Sequence, residues 1–168
     1  DQTNERWKDY VRLYFRPRTP TQYQNEGYIP IEQRYQNAHC PVPIYFLFDS
    51  KQVLSLDGVC FSDCSLARQN SHVYSSAIDF KRIPFDHVYH DAYFDRYSTR
   101  GRDIIGHRQA EVIVPNMLSL LYLKYIWCRS EAEYQTLLYR LSGSALNRWK
   151  NKIGSGKKNK LFSSSRLN

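Results

Sequence analysis

A carboxylate at the start of a short apolar strand is the first residue in this sequence whose setting suggests chemistry. Glu111 precedes Val112-Ile113-Val114, and Pro115 ends this β-favouring run. A basic, histidine-containing turn, Gly106-His107-Arg108, comes shortly before it. Most strand-end glutamates point to water, but a sheet can also hold a carboxylate rigidly at the floor of a cleft. The spacing alone leaves both interpretations open.

A second carboxylate, Asp103, lies eight residues before Glu111 in sequence. An acidic pair near a strand start, on a basic protein, is what a metal-dependent nuclease uses to bind Mg²⁺. Nuclease sites of this type usually have a lysine just past the second carboxylate, where this chain has Val112-Ile113-Val114. The nuclease interpretation therefore remains an alternative.

Other residues with metal or phosphate chemistry have unsuitable spacing. His72, His87 and His90 are loosely spaced and have no second Cys/His pair, so we expect no metal site. The segment Gly154-Ser155-Gly156-Lys157 lacks the spacing between glycines and the preceding strand of a phosphate-binding loop.

The composition favours a polyanionic partner. The chain has 168 residues, with 24 Lys and Arg against 16 Asp and Glu, which gives a net charge of +8. Its 14 Tyr, 8 Phe and 3 Trp suit single-stranded nucleic acid, because charges follow the phosphates and rings stack on the bases. Tyrosine-rich strands are also ordinary sheet surface, so a basic domain that binds nucleic acid without catalysis stays open.

The cysteines and the hydropathy pattern indicate a cytoplasmic protein without a membrane segment. The four cysteines fit neither a zinc ribbon nor a disulfide framework, and no apolar run approaches the ~20 residues of a membrane-spanning helix. The chain starts with Asp1 and its one methionine is Met117, so we expect further sequence upstream.

Short strands separated by loops, with few helices, predict an α+β fold around a mixed or antiparallel sheet. We expect one domain over residues 1–150 and a basic, disordered tail over residues 151–168. We predict strands at residues 10–15, 43–48, 58–61 and 121–127, and the strand at 43–48 is expected to be central in the sheet. We predict helices from Pro84 to about Phe94 and from Ser130, where a capping-box pattern begins. Residues 98–102 are predicted to be a loop.

Two separated stretches resemble the DarT family of DNA ADP-ribosyltransferase toxins. The first runs from Asp9 to Pro20 and is similar to that family's strand and Pro-Arg-Ser/Thr-Pro turn. The second, Arg108 to Val114, is similar to its Arg-x-Ala-Glu strand start, and Cys60-Phe61-Ser62-Asp63 resembles its Phe-Thr-Asp turn. The resemblance covers roughly residues 6–141 and implies an ADP-ribosyltransferase-like sheet with peripheral helices.

The resemblance implies transfer of ADP-ribose from NAD to a base in single-stranded DNA, with release of nicotinamide. Glu111 would be the catalytic residue, and Arg18 a residue that binds NAD phosphates or simply a structural turn arginine. A loop over residues 79–110 would recognise the target, with Arg100, Arg102 and Arg108 as contacts to DNA. The implied partner is an antitoxin that removes ADP-ribose, a macrodomain-type or related hydrolase.

This chain also departs from the family. Family members begin with a His-x-Thr strand that contacts nicotinamide, followed by an NAD-binding loop with a functional arginine. Neither occurs before Trp7, and we therefore expect either an N-terminally incomplete chain or a degenerate protein. Thr21 stands where relatives often have Met, which predicts a subgroup with its own target preference.

Overall fold

The computed structural model describes residues 5–25, 30–34, 40, 42–156 and 161–162. The chain divides into two compact units. The first contains Asp1–Thr19 and Ser50–Ser119, and the second contains Pro20–Asp49 and Leu120–Asn168.

The first unit is built on a four-stranded antiparallel sheet with the strand order β1-β5-β3-β4. Its strands are β1 (Val11–Tyr14), β3 (Cys60–Ser62), β4 (Val73–Tyr74) and β5 (Glu111–Val114). All four residues of β5 are buried, and β5 has a neighbouring strand on each side. The predicted strands at 10–15 and 111–114 are confirmed, and the strand predicted at 58–61 begins two residues later.

The two faces of this sheet have different chemistry because side chains alternate along a strand. One face packs Phe61 and Ala110 against Ile83 and Val88, with several rings around them. The opposite face carries Ile113 under Trp7 and Leu66, and Glu111 lies two positions from Ile113 on this same face.

The helices of the first unit are short. They are α2 (Ser50–Leu54), α3 (Phe85–Val88) and α4 (Thr99–His107), and a 3₁₀ turn spans Asp79–Arg82. The helix predicted from Pro84 to Phe94 was wrong in length, because Tyr89 leaves helical geometry and ends α3.

The loop predicted at residues 98–102 was also wrong. Ser98 is the N-cap of α4, and its side chain accepts a hydrogen bond from the Gly101 N–H at 3.0 Å. Gly101 resembles a loop residue in sequence, but it is buried where a Cβ would collide with the Asp95 carbonyl. The glycine therefore serves close packing of a helix rather than a turn.

The second unit has a three-stranded mixed sheet with the order β2-β6-β7. Its strands are β2 (Ile44–Phe48), β6 (Leu123–Cys128) and β7 (Ile153–Ser155). The strand predicted at 43–48 is confirmed as β2, but its predicted central position was wrong, since β2 lies at the edge of this sheet in the part of the chain that the structure describes. Its apolar residues alternate in exposure, with Phe46 55% exposed, although the sequence pattern looked buried on both faces.

The residues predicted to begin a disordered tail instead continue the second unit. Ile153–Ser155 forms β7, parallel to β6, and Ile153 is buried with Leu123, Ile126 and Cys128. A single apolar residue in a lysine-rich stretch is therefore enough to add a strand when a neighbouring edge is available. The later tail residues 157–160 and 163–168 lie outside the described part of the chain.

Helices complete the second unit as α1 (Pro20–Asn25), α5 (Glu131–Arg140) and α6 (Gly143–Trp149). The predicted capping box of α5 is confirmed, because Ser130 and Glu133 hydrogen-bond to each other's backbone N–H. The α+β class is confirmed. Among the described residues, none of the helices is long and apolar enough to span a membrane.

Candidate active site

Glu111 is the most deeply buried acidic residue that the described structure contains, with 1% of its surface exposed. Its carboxylate forms an ion pair with Arg12, in which Arg12 Nε donates to Oε2 at 2.6 Å and Nη2 donates to Oε1 at 3.1 Å. The interpretation of Glu111 as a solvent-directed strand end is therefore wrong. A buried charge needs a partner, and Arg12 supplies it through two charge-assisted hydrogen bonds.

The register of the sheet brings this pair together. Arg12 is opposite Ile113 and Tyr14 is opposite Glu111, so Arg12, Tyr14 and Glu111 all project from the same face. Alternation along the sequence also places Tyr10, Arg12 and Tyr14 together on one face of their strand, opposite to Val11, Leu13 and Phe15. What this alternation did not predict was that the same face would carry Glu111.

Two further groups fix the glutamate. The Leu66 N–H donates to Oε1 at 3.2 Å, and the Ser62 Oγ accepts from the Glu111 N–H at 3.1 Å. Ser62 is fully buried, and its hydroxyl donates a hydrogen bond to the Cys64 carbonyl at 2.7 Å. Strand β3 and the loop after it therefore hold both the backbone and the carboxylate of Glu111.

The pKa shifts near the pair follow from burial and charge. Burial alone would lower the pKa of Arg12, but the hydrogen bond and the charge of Glu111 outweigh it and raise that pKa. Burial also raises the pKa of the Cys64 thiol to about 12, with smaller contributions from Asp63 and Glu111. Arg12 is therefore always charged, and Cys64 is a neutral thiol at physiological pH.

A cleft opens beside Glu111 on the same face of the sheet. It has a volume of about 570 Å³ and is lined by Trp7, Leu66, Ala67, Arg68, Gln69, Ser71 and Val73. Leu66 lines this cleft, and its backbone N–H also donates a hydrogen bond to the Glu111 carboxylate. The volume lies in the range of small-molecule sites.

Arg68 connects the cleft to α4. Its Nη2 donates to the Arg102 carbonyl at 3.3 Å, and its guanidinium lies against Gly106, where there is no space for a Cβ. The loop that donates to Glu111 is thus attached to the helix that carries Arg100 and Arg102.

The predicted arginines separate into two groups. Arg100 and Arg102 are exposed on α4, and Arg102 donates to the Tyr97 carbonyl at 2.5 Å. Arg108 instead donates through Nε to the His90 carbonyl at 3.1 Å, contacts that same oxygen through Nη2, and lies 4.8 Å from the Phe94 ring centre. Burial and the nearby charge of Arg16 lower the pKa of Arg108 to about 10.

Arg18, like Arg108, contacts the segment that follows α3. Its Nη2 donates to Asp91 Oδ1 at 3.3 Å, and its backbone has a φ of +58°, which is uncommon for a residue with a side chain. The buried Arg16, which the sequence analysis did not single out, donates to the same carboxylate and to the carbonyls of Val88 and His90. These three arginines hold the segment after α3.

The nuclease alternative does not gain support. Asp103 is exposed on α4, while the Glu111 carboxylate is occupied by Arg12 and the Leu66 N–H. Within the described ranges, there is no group of three or more His, Cys, Asp or Glu residues arranged to bind a metal ion.

Comparison with known proteins identifies the class of this fold. The structure of DarT from Thermus sp. 2.9 in complex with carba-NAD+ matches with a TM-score of 0.70 at 16% identity, over 93% of this chain and 74% of that chain. DarT from the same organism in complex with ADP-ribosylated ssDNA matches with a TM-score of 0.67 at 15% identity, over 92% and 69%. Thermosipho africanus DarTG in complex with ADP-ribose gives 0.64 at 18% identity, over 94% of this chain and 37% of that chain. These likenesses show the ADP-ribosyltransferase fold.

A family model described as ssDNA thymidine ADP-ribosyltransferase, DarT, matches residues 1–157. The chain belongs to this family. No curated protein matches the sequence. The family match confirms the assignment made from the two sequence stretches, and with it the expectation of an ADP-ribosyltransferase that acts on single-stranded DNA.

Proposed function

We propose that this chain transfers ADP-ribose from NAD to a thymine base of single-stranded DNA, and that Glu111 is the catalytic carboxylate. The observation that carries the proposal is the buried, fixed carboxylate of Glu111 beside an open cleft. The family description names thymidine in ssDNA as the target, and the Thermus sp. 2.9 structures contain NAD+ and ADP-ribosylated ssDNA.

The chemistry requires a negative charge at a defined position. The bond between the nicotinamide nitrogen and the ribose carbon breaks, its electron pair leaves with nicotinamide, and positive charge develops on the ribose. The base then forms a bond to that carbon and loses a proton. A preorganised carboxylate stabilises the cationic transition state, and it can also orient a ribose hydroxyl or assist loss of the proton.

Arg12 holds this carboxylate in place. Arg12 donates two hydrogen bonds to the Glu111 carboxylate, and the Arg12 side chain is itself 27% exposed at the margin of the site. Electrostatic catalysis is efficient when the charged group does not have to reorganise during the reaction. Arg12 is therefore a positioning residue for Glu111 in the proposed mechanism.

The cleft beside Leu66 is the proposed site for part of NAD. It adjoins Glu111 through Leu66, combines apolar walls from Trp7 and Val73 with the polar Gln69 and Ser71, and lies next to Arg68. Arg18 lies with Asp91 instead, and its sequence-based role in binding NAD phosphates remains a proposal.

The proposed DNA surface consists of α4 and the aromatic segment before it. Arg100 and Arg102 are exposed there, as are Tyr93 at 90% and Tyr97 at 87% of their surfaces. Exposed guanidinium groups and rings are suited to phosphates and bases respectively. Arg108 is proposed to act on DNA through the position of this segment, since its Nε and Nη2 both donate to the His90 carbonyl.

We further propose a partner and a location. The Thermosipho africanus match is a DarTG in complex with ADP-ribose, which supports a toxin–antitoxin setting. A hydrolase of the macrodomain type or a related one would remove the ADP-ribose from DNA.

The cytoplasm, where NAD and single-stranded DNA occur together, is the compartment we propose. We also keep the proposal of a catalytic domain over residues 1–150 followed by a basic tail. Because β7 spans Ile153–Ser155, the tail in this proposal begins after β7 rather than at residue 151.

The direct test is NAD-dependent labelling of defined oligonucleotides. The purified chain is incubated with NAD labelled in the adenylate phosphate and with single-stranded oligonucleotides that contain or lack thymine. We expect label on thymine-containing strands with release of nicotinamide in equal amount. DNA binding without label or nicotinamide release would select the binding-only alternative. Cleavage that needs a divalent cation and no NAD would select the nuclease.

A further inference from the structure

Tyr14 is the exposed residue directly opposite the proposed catalytic carboxylate. The two are paired across β1 and β5, and their side chains project from the same face. Residues paired in this way have Cβ atoms about 5 Å apart. Tyr14 is 40% exposed, whereas Glu111 is 1% exposed. A large ring open to solvent thus borders a carboxylate that is itself almost covered.

The ring and the cleft lie on different sides of Glu111. The sheet order is β1-β5-β3-β4, so Tyr14 on β1 and the cleft wall at Val73 on β4 have β5 between them. Leu66 approaches the carboxylate from the cleft, and Arg12, two residues from Tyr14, approaches it from β1. The carboxylate therefore lies between the cleft on one side and the exposed Tyr14 ring on the other.

The proposed reaction needs two planar heterocycles on opposite sides of one carbon. Nicotinamide leaves from one side of the ribose carbon, and the thymine base attacks from the other. If the NAD-bearing side is the cleft, the acceptor base approaches across the Tyr14 ring. Aromatic rings bind bases of single strands by stacking, which depends little on hydrogen-bond pattern.

We propose that Tyr14 is the surface on which the acceptor base stacks when it is presented to Glu111. This inference rests on the proposed transferase function and adds a specificity residue to it. The phenol oxygen contributes little to stacking, whereas the ring is required. The charge of Tyr14 is also one of the smaller influences on the pKa of Arg12, so its hydroxyl and its ring must be tested separately.

Three substitutions separate these roles. Tyr14→Phe and Tyr14→Trp keep a ring, and Tyr14→Leu removes it while retaining bulk on the strand. We expect Tyr14→Leu to lower kcat/KM for a thymine-containing oligonucleotide roughly tenfold or more, and the two aromatic variants to remain within threefold of the wild type. Tyr139→Leu, on a residue of α5 that is 88% exposed, is the matched control and should leave this ratio unchanged.

The affinity for NAD is the second readout. Calorimetric titration of NAD into wild type and Tyr14→Leu should give dissociation constants within twofold, because the ring serves the base. If Tyr14→Leu weakens NAD binding as much as it weakens use of DNA, the ring serves nicotinamide and the proposal is wrong. Loss of activity in Tyr14→Phe would likewise overturn it, since the hydroxyl would then be the active group.

Photocrosslinking tests the contact without a substitution at Tyr14. The Glu111→Gln variant is irradiated with the same oligonucleotide carrying 5-iodouracil in place of the modified thymine, and the attached peptide is identified by mass spectrometry. We expect the crosslink at Tyr14; crosslinking elsewhere only would contradict the proposal. If the wild type labels no oligonucleotide at all, the transferase function fails instead, so the two failures are distinguishable.

Discussion

Arg12 and Glu111 are 99 residues apart in sequence and share two hydrogen bonds, one of 2.6 Å and one of 3.1 Å. The pairing of β1 with β5 places the two side chains on one face, and the burial of Glu111 makes the guanidinium its charge partner. A transferase that must stabilise a cation needs a carboxylate that is already in position when substrate arrives. The fold provides this position through the pair with Arg12.

Breaking the pair from one side should destabilise the protein. Arg12→Met leaves a buried carboxylate without its cation, and we expect the free energy of unfolding to fall by about 3 kcal/mol in urea denaturation. The double variant Arg12→Met with Glu111→Gln should recover part of that loss, because no unpaired charge remains. If the loss in the double variant equals the sum of the losses in Arg12→Met and Glu111→Gln, the two side chains are not energetically coupled.

Ser62 should matter for both stability and catalysis. Ser62→Ala removes the acceptor of the Glu111 N–H and the donor to the Cys64 carbonyl, both buried, and we expect a loss of about 2 kcal/mol in unfolding free energy. Labelling of DNA should fall as the glutamate loses its fixed position. The control is Ser55→Ala, whose exposed hydroxyl donates to the Lys51 carbonyl, and which should change stability by less than about 0.5 kcal/mol. Equal effects of the two variants would contradict this role.

The cysteines should differ in reactivity and in their effect on pH stability. Cys40 is exposed, while burial raises the pKa of Cys64 to about 12 from 9.0, so iodoacetamide at pH 8 should label Cys40 and spare Cys64 in the folded protein. The unfolded thiol ionises near pH 9, whereas the folded thiol ionises only near pH 12. Stability should therefore decline as pH rises from about 9 towards 12. Cys64→Ala should reduce that decline, and an unchanged slope would argue against the shift.

Substitutions of Arg100 and Arg108 should change the salt dependence of DNA affinity differently. Arg100 is exposed, so Arg100→Gln should weaken binding of single-stranded DNA and reduce the slope of log affinity against log salt by about 1. Arg108→Gln should weaken binding with little change in that slope, and should increase hydrogen exchange in residues 89–97 because its contacts to His90 and Phe94 are lost. The reverse assignment of slopes would mean that Arg108 contacts phosphate directly.

The sequence predicted Glu111 at a strand start and Arg12 on the polar face of another strand, because period-two alternation is visible locally. It did not predict that they meet, since their pairing depends on the β1–β5 register. The helix α4 was missed because Gly101 resembles a loop residue until the Asp95 carbonyl is seen against it. The contacts of Arg16 and Arg108 with the Val88 and His90 carbonyls were not predicted either, because they depend on how the segment after α3 packs.

The measurement that tests the central claim most directly is single-turnover labelling of thymine-containing single-stranded DNA by Glu111→Gln. This variant keeps the shape of the side chain, but it removes the charge and replaces one of the two acceptor oxygens with an NH2 donor. We expect nicotinamide release and DNA labelling to fall by at least about a hundredfold, while the exposed Glu32→Gln control keeps wild-type rates. A folded Glu111→Gln protein that labels DNA at the wild-type rate would contradict the account.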